Sequence, residues 1–368
     1  MRVPDIASGP LFDSDGPHFN DIEQGGAGTC YVLAAMGAIA EFPEMVTDMF
    51  VSGTTISDKG IYNLKFYIRG KPWIVTIDDY LLANVMGSTP SLVFTQPDPY
   101  SGAMWAPLVE KAWAKIGGNY ELSNGGYLEN GLRSVAGVPV FTYWGSDFQT
   151  LEEAQTLWTT MKAADEIDYL MSAAVYYSDF SSDTNSCGII QGHAYTVLSA
   201  FEMTDSVTGT TYKMYLIRNP WGVTFYSNEW HAGDSRWTDE LANQVPLGID
   251  PRTSANDGIF AMPYDKIINE ECVSSLQIGH LRDSEGYVKT WFDEEQVSKE
   301  EGWYHYDLVV PDTIGADSHI YFTVESYYQE YIPEECWNTW AGINAIYFDV
   351  TNLRTNENWF MYYYEQFH

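Results

Sequence analysis

The chain has 368 residues, room for two or three compact units with real cores. Its formal charge of −33 sets 51 acidic against 18 basic residues, and that excludes nucleic-acid or anionic-membrane binding as a first expectation, because both need Lys and Arg clusters that are missing here. Globular hydrophobic content with a 15% aromatic share argues against extended disorder, and no stretch approaches the length of a membrane span. The Met1 end has Asp5 and Asp13 but no apolar run, unlike a secretory signal. Four cysteines, Cys30, Cys187, Cys272 and Cys336, are far apart and form no CxxC pair. Neither a zinc site nor a disulfide framework is expected, and the default location is a reducing one, the cytoplasm.

In chain order, residues 1 to 29 read as loop, punctuated by Gly9-Pro10, Asp15-Gly16-Pro17 and the glycines of Gln24-Gly25-Gly26-Ala27-Gly28-Thr29-Cys30. From Tyr31 to Phe42, apolar Val32, Leu33, Met36 and Ile39 recur at helical spacing and predict a buried helix with Cys30 on its first turn. Tyr62 to Ile68 and Trp73 to Ile77 predict a hairpin around Arg69-Gly70-Lys71-Pro72. A helix follows from about Ala106 to Ile116, stopped by Gly117-Gly118, and another over Tyr127 to Ala136. Thr150-Leu151-Glu152-Glu153 is a capping box for a helix reaching about Ala164. Strand patterns then cover 169 to 177, 193 to 201, 212 to 218 and 259 to 262. Four more, between residues 304 and 364, suggest a C-terminal β-sandwich. The expected organisation is α+β: a helical unit over 1–140, a β-rich unit over 141–270, and an incomplete β-sandwich over 271–368.

Cys30 carries the sharpest chemical expectation. A thiol on a helix N-terminus lies near unpaired N–H groups and the positive end of the macrodipole, which favours thiolate. Gln24 lies six residues upstream and is placed to turn an amide N–H toward the same spot, as an oxyanion donor. The bland reading of Cys30 is one more small core residue, and cysteine is often buried. A nucleophile needs a base, and Gly192-His193-Ala194-Tyr195 offers one at a strand start, where the glycine leaves the ring accessible. A hairpin of 193–201 with 212–218 about the turn Thr204 to Gly209 sets His193 opposite Asn219, within a register step or two. An Asn carbonyl beside an imidazole N–H fixes tautomer and ring orientation. Trp221 then shields that bond. A histidine at a strand start is, taken alone, more often structural; the paired Asn is what favours chemistry.

With these segments in hand, the chain resembles the calpain family of papain-like cysteine proteases over nearly all of residues 1 to 270. Phe12 to Cys30, with Asp15-Gly16, Asp21-Ile22 and Gln24-Gly25, is similar to the family's lead-in to its nucleophile. The run Trp105 to Tyr120 is similar to a family helix. Gly192-His193-Ala194-Tyr195 and Arg218-Asn219-Pro220-Trp221-Gly222 match the histidine and asparagine motifs, and Asn256-Asp257-Gly258-Ile259-Phe260 to Asp265 the closing stretch of the core. The resemblance implies a papain-like core of two subdomains with a substrate peptide between them, catalytic Cys30, His193, Asn219 and Gln24, and Gly192 and Trp221 beside the substrate. It also implies protein substrates and a C-terminal β-sandwich.

The chain departs from the family at several places. Thr29 and Tyr31 flank the nucleophile where Asp and Trp are usual. Calcium-dependent members hold two ions in the core, and Gly16 and Asp21 match the first site. The partner acid falls at or near Arg133, with Glu129 the nearest substitute. Val223 and Phe225 replace acids of the second site, and no Asp follows Trp230 until Asp234. Calcium takes several oxygen ligands, usually with two or more carboxylates. The expectation is therefore no required cofactor, with calcium the one candidate ion and calcium dependence weakened or absent. The leading reading is a cytoplasmic cysteine endopeptidase with protein substrates, further protein partners unknown and no membrane span. The alternative is a catalytically silent scaffold or binding module.

Overall fold

The computed structural model describes residues 1–280, apart from 7–8, 69, 86–90 and 178–180, and beyond them the backbone of four short strands at 298–300, 303–305, 346–352 and 357–363. The fold is α+β. Helix α1 (Cys30–Ile39) is apolar on every side, and all of its residues from Tyr31 onward are buried, so it runs through the middle of the molecule rather than along a face. Around it stand α2 (Pro43–Met49), the hairpin β1 (Ile61–Ile68) and β2 (Lys71–Asp78), α3 (Trp105–Ile116) and α4 (Leu128–Ala136). Gly137 ends α4 in the left-handed conformation, with its N–H bonded to the Arg133 carbonyl.

The second half is one antiparallel sheet with a helix on its outer face. Its strands are β3 (Val140–Trp144), β4 (Leu170–Val175), β5 (His193–Thr204), β6 (Thr211–Arg218), β7 (Ile259–Pro263) and β8 (Ser275–Gly279), in the spatial order β3-β8-β4-β5-β6-β7. Between β3 and β4 lies α5 (Leu151–Asp165), opened by the expected capping box: Thr150 Oγ1 accepts from Glu153 N–H, and the Glu153 carboxylate accepts from Thr150 N–H. Such a cap is worth about 1 kcal/mol.

Alternation along the strands gives the sheet two cores. Leu170, Ala194, Leu198 and Leu216 face α1, whereas Met171, Tyr195, Val197 and Ile217 pack under α5. Where α1 crosses β5, Thr196 Oγ1 donates to the Ala34 carbonyl at 2.8 Å, and a Cβ on Gly37 would stand 2.3 Å from that hydroxyl. The two halves therefore pack closely from one turn past Cys30.

Three expectations change. Strand β8, beyond the expected boundary at 270, inserts between β3 and β4, so the β-rich unit extends through Gly279. Pairing between strands a hundred residues apart leaves no periodic trace that could have shown it. Cys187 and Cys272, expected to be free thiols, form a disulfide with Cα atoms 5.5 Å apart, because the loop before β5 folds back over the entry to β8. The spacing argument for a reducing compartment loses its premise there. The hairpin pairs Thr204 with Thr211 and, past a bulge between Val197 and Ser199, Thr196 with Arg218, displaced from the expected register. The expected β-sandwich, apart from the residues of β8, falls on the region where only four backbone strands are described.

Candidate active site

Cys30 opens α1 and is half-buried, the only free cysteine among the described residues. The glycines before it do what their spacing predicts: a Cβ on Gly25 would lie 1.9 Å from the Phe94 carbonyl oxygen, and Gly26 N–H donates to the Val93 carbonyl at 2.9 Å. Backbone N–H groups of Ala194, Tyr31 and Cys30 itself act on the sulfur and favour its thiolate, but desolvation is the larger effect and pushes the thiol up. Desolvation therefore opposes the thiolate that the helix N-terminus alone leads one to expect.

The Ala194 contact brings the start of β5 to Cys30. His193 is the first residue of that strand, pairs with Val175 of β4 and is buried. Its Nε2 lies 2.8 Å from Asn219 Oδ1. Asn219 follows the last residue of β6, and its amide orientation is determined: Nδ2 donates to the Val223 carbonyl at 2.9 Å, and Oδ1 accepts from Trp221 N–H at 3.0 Å. Since Oδ1 only accepts, the histidine must donate from Nε2, and in the neutral ring Nδ1 is the bare nitrogen. Burial lowers the imidazole to about 4, and the Asn219 bond opposes that shift. Asn219 reaches His193 despite the displaced register because it sits just past the final pair, Thr196 with Arg218, where the chain turns.

Trp221, one-third exposed, has its ring centroid 4.7 Å from that of His193, covering the histidine as expected. Gly192 adopts φ +61°, and a Cβ there would overlap the Tyr177 ring at 2.0 Å, so the position is closed to side chains on two counts. Gln24 is tied to the other half by its N–H, which donates to the Pro220 carbonyl at 2.8 Å. Its side-chain Nε2 donates to the Ala27 carbonyl at 2.7 Å, which leaves the second amide N–H, and Oε1 is buried without a partner. Cys30, His193, Asn219, Gln24, Gly192 and Trp221 thus share one locality where the two halves join.

The two residues matched to a calcium site are placed differently. Gly16 has φ +91°, and its N–H closes a turn on the Asp13 carbonyl. Asp21 is buried, and its Oδ2 accepts from Trp105 Nε1 at 2.7 Å and from His18 N–H at 2.8 Å. Desolvation raises its carboxyl to about 6. Among the described residues the single grouping of three acid, thiol or imidazole ligand atoms is Cys187, Glu271 and Cys272, with both sulfurs already bonded to each other. Asp98 and Asp13 act on the Asp21 carboxyl group and raise it further, but among the described residues no grouping of three ligand atoms includes Asp21, short of the oxygen set that calcium takes.

Two contacts to the nucleophile loop escape a reading by motif. Asn124 Oδ1 accepts from Gly28 N–H at 2.6 Å, and Glu110 on α3 accepts from Thr29 Oγ1 at 2.5 Å. An acid within the otherwise apolar run Trp-Ala-Pro-Leu-Val-Glu was the available signal for the second.

Residues 1–278 match the family model of the calpain family cysteine proteases. Calpain-5 of Caenorhabditis elegans is 27% identical over 293 residues, which cover 73% of this chain and 44% of that protein. The calpain-1 catalytic subunit of Bos taurus is 27% identical over 280 residues, covering 73% and 36%. The calpain-type cysteine protease DEK1 of Zea mays is 27% identical over 256 residues, covering 67% and 11%. The chain spans less than half the length of these curated relatives. With the family match extending over three-quarters of its residues and through β8, the chain belongs to the calpain family of cysteine proteases.

Proposed function

We propose that this chain is a cysteine endopeptidase that hydrolyses protein substrates through Cys30, His193 and Asn219. The observation that carries the reading is the tautomer that Asn219 favours: held by Val223 and Trp221, its Oδ1 accepts a hydrogen bond from His193 Nε2–H and leaves Nδ1 to act as base. As the thiol attacks a peptide carbonyl, its proton passes to His193. Cys30 N–H and the remaining Gln24 N–H receive the developing oxyanion, and His193 then protonates the leaving amine. Water, deprotonated by His193, hydrolyses the thioester. Gly192 and Trp221 border the substrate on the histidine side, where the Tyr177 ring packs against Gly192.

The reaction proceeds without calcium in this proposal. Support comes from Asp21, whose carboxylate is committed to Trp105 and His18, and from the direct ties between halves made by Arg218, Gln24 and Thr196. The scaffold reading draws on burial, which pushes the Cys30 thiol up and the His193 imidazole down.

The test is cleavage of an unstructured protein with calcium and then with a chelator, beside Cys30→Ser. Cleavage that survives the chelator and disappears in Cys30→Ser is the expected result. Activity only with calcium overturns the metal part, and no cleavage in either condition favours the scaffold.

A further inference from the structure

Glu110 has no exposed surface, yet among the described residues no Lys, Arg or His acts on its carboxyl group; the partners that act on it are Thr29 and Thr95. A carboxyl group taken out of water on those terms is costly unless its oxygens are filled by hydrogen bonds. They are filled on two sides. Oε1 accepts from the Thr29 hydroxyl at 2.5 Å, and Oε2 accepts from Thr95 N–H at 2.8 Å. Thr29 and Thr95 are themselves buried. Phe94 and Tyr120 stack at 3.8 Å and, with Glu110, line a shallow cleft.

What these two threonines hold is specific. Thr29 precedes Cys30 and caps α1 with its backbone: its carbonyl accepts from Val32 and Leu33 N–H. Its side chain does not cap the helix but goes to Glu110. Fixing Thr29 therefore fixes the plane of the 29–30 peptide, which sets the direction of the Cys30 N–H. Thr95 lies in a strip that flanks the other side of the loop. Val93 accepts from Gly26 N–H at 2.9 Å, Gln96 N–H donates to the Glu23 carbonyl at 2.8 Å, and Phe94 lies against Gly25. That strip brackets Gln24 in space and in sequence.

We propose that Glu110 is a positioning residue for the oxyanion hole: one carboxyl oxygen holds Thr29 and the other holds Thr95, so that the Cys30 N–H and the Gln24 side chain converge on one point. This inference rests on the protease reading and deepens it. Losing an oxyanion donor outright typically costs about 10²–10³ in rate. A donor turned away by a fraction of an ångström costs less, about tenfold.

The test compares two reagents that label Cys30 with and without an oxyanion. With a peptidyl chloromethyl ketone, the Cys30 proton passes to His193 as sulfur adds to the carbonyl carbon and puts negative charge on its oxygen; sulfur then bonds to the methylene as chloride leaves, and the sulfur–carbonyl-carbon bond breaks to restore the ketone. With iodoacetamide, sulfur displaces iodide directly and no oxyanion forms. Thr29→Val removes the hydroxyl and keeps the side-chain shape. It should lower the ketone rate constant about tenfold and change the iodoacetamide rate constant less than about twofold. Thr29→Ser should keep both rates. Glu110→Gln should keep them as well, since its carbonyl accepts from Thr95 while its N–H donates to the Thr29 oxygen. Thr29→Ala provides a second hydroxyl-free variant with less side chain to accommodate. Equal losses with both reagents, or an unchanged ratio in Thr29→Val and Thr29→Ala, would overturn the proposal. Failure of the protease reading shows separately, as absence of peptide hydrolysis by the wild type, because the labelling ratio is read without turnover.

Discussion

At the scale of single residues, His193 is where position and protonation pull against each other. Its place beneath Trp221 and beside Asn219 removes it from water, and the imidazole falls to about 4 from an ordinary 6.5. Between those values the unfolded chain binds a proton that the native chain lacks. Stability contributed by a neutral His193 is therefore complete above pH 6.5 and is lost as pH falls toward 4, by about 3 kcal/mol at most. His193→Gln, neutral at every pH, should flatten that acid limb, as measured by urea unfolding at pH 4.5 and pH 7. An acid limb equally steep in the variant would show that the imidazole is not desolvated. Asp21 has the opposite sign: its carboxyl is raised to about 6, so the stability linked to its protonated form is lost as pH rises through 6. The same neutrality shapes reactivity. With the thiol pushed up and the imidazole pushed down, alkylation of Cys30 should rise toward alkaline pH without a plateau near neutrality.

The elements show what keeps the histidine side in place. The loop leading into β5 is stapled by Cys187–Cys272, while Asn185 Nδ2 donates to the Cys272 carbonyl at 2.8 Å and Ser227 N–H to the Cys187 carbonyl at 2.9 Å. The bridge spans 85 residues of sequence, so its removal frees a long loop in the unfolded state. Cys187→Ala with Cys272→Ala should cost about 2–4 kcal/mol in chemical denaturation. It should also raise hydrogen exchange over 182–192 first, because that segment leads to His193. Unchanged stability under oxidising conditions would mean the bridge does not form in solution. Helix α1, the capping box of α5, the hairpin β1–β2 and the nearness of His193 to Asn219 were all legible beforehand, because each rests on local spacing, local turn chemistry or a short motif. The register of β5 with β6 was not, since the bulge at Val197 and Ser199 obeys packing against α1 and Asp165, whose carboxylate accepts from Ser199 Oγ and Ala200 N–H. Strand β8 and the disulfide were invisible for a related reason: both join segments that only the folded sheet brings together. Glu110 was visible as an acid in an apolar run, but its meaning depends on Thr29 and Thr95, which no spacing rule connects to it.

For the whole molecule the question is what aligns two halves that share one active site. The link with the greatest reach is Arg218, fully buried at the end of β6 and directly followed by Asn219. Its Nη2 donates to the Ile22 carbonyl at 2.7 Å, and its Nε to Asn20 Oδ1 at 3.2 Å, so a guanidinium from the β-rich half is seated in the lead-in loop of the helical half. Burial lowers this group to about 10, while Asp257, Asp21 and Glu23 raise it, so it stays charged at neutral pH. A fixed cation held by loop oxygens provides alignment that does not depend on ion concentration. Tyr100 adds a contact from the helical half, its hydroxyl donating to Asp257 at 2.9 Å, and Asn219 N–H donates to the Gly258 carbonyl in that same loop. Arg218→Met keeps the aliphatic length but leaves the carbonyls of the lead-in loop without their donor, at a cost of about 2–5 kcal/mol in stability. Peptidase activity should fall by at least about tenfold at temperatures where the variant is still folded, because Asn219 and Gln24 lose a shared reference point. Millimolar calcium should not restore it, since Asp21 remains committed to Trp105 and His18. Recovery with calcium would reveal an ion site that the wild-type guanidinium displaces, and it would make calcium and Arg218 alternatives for one structural task.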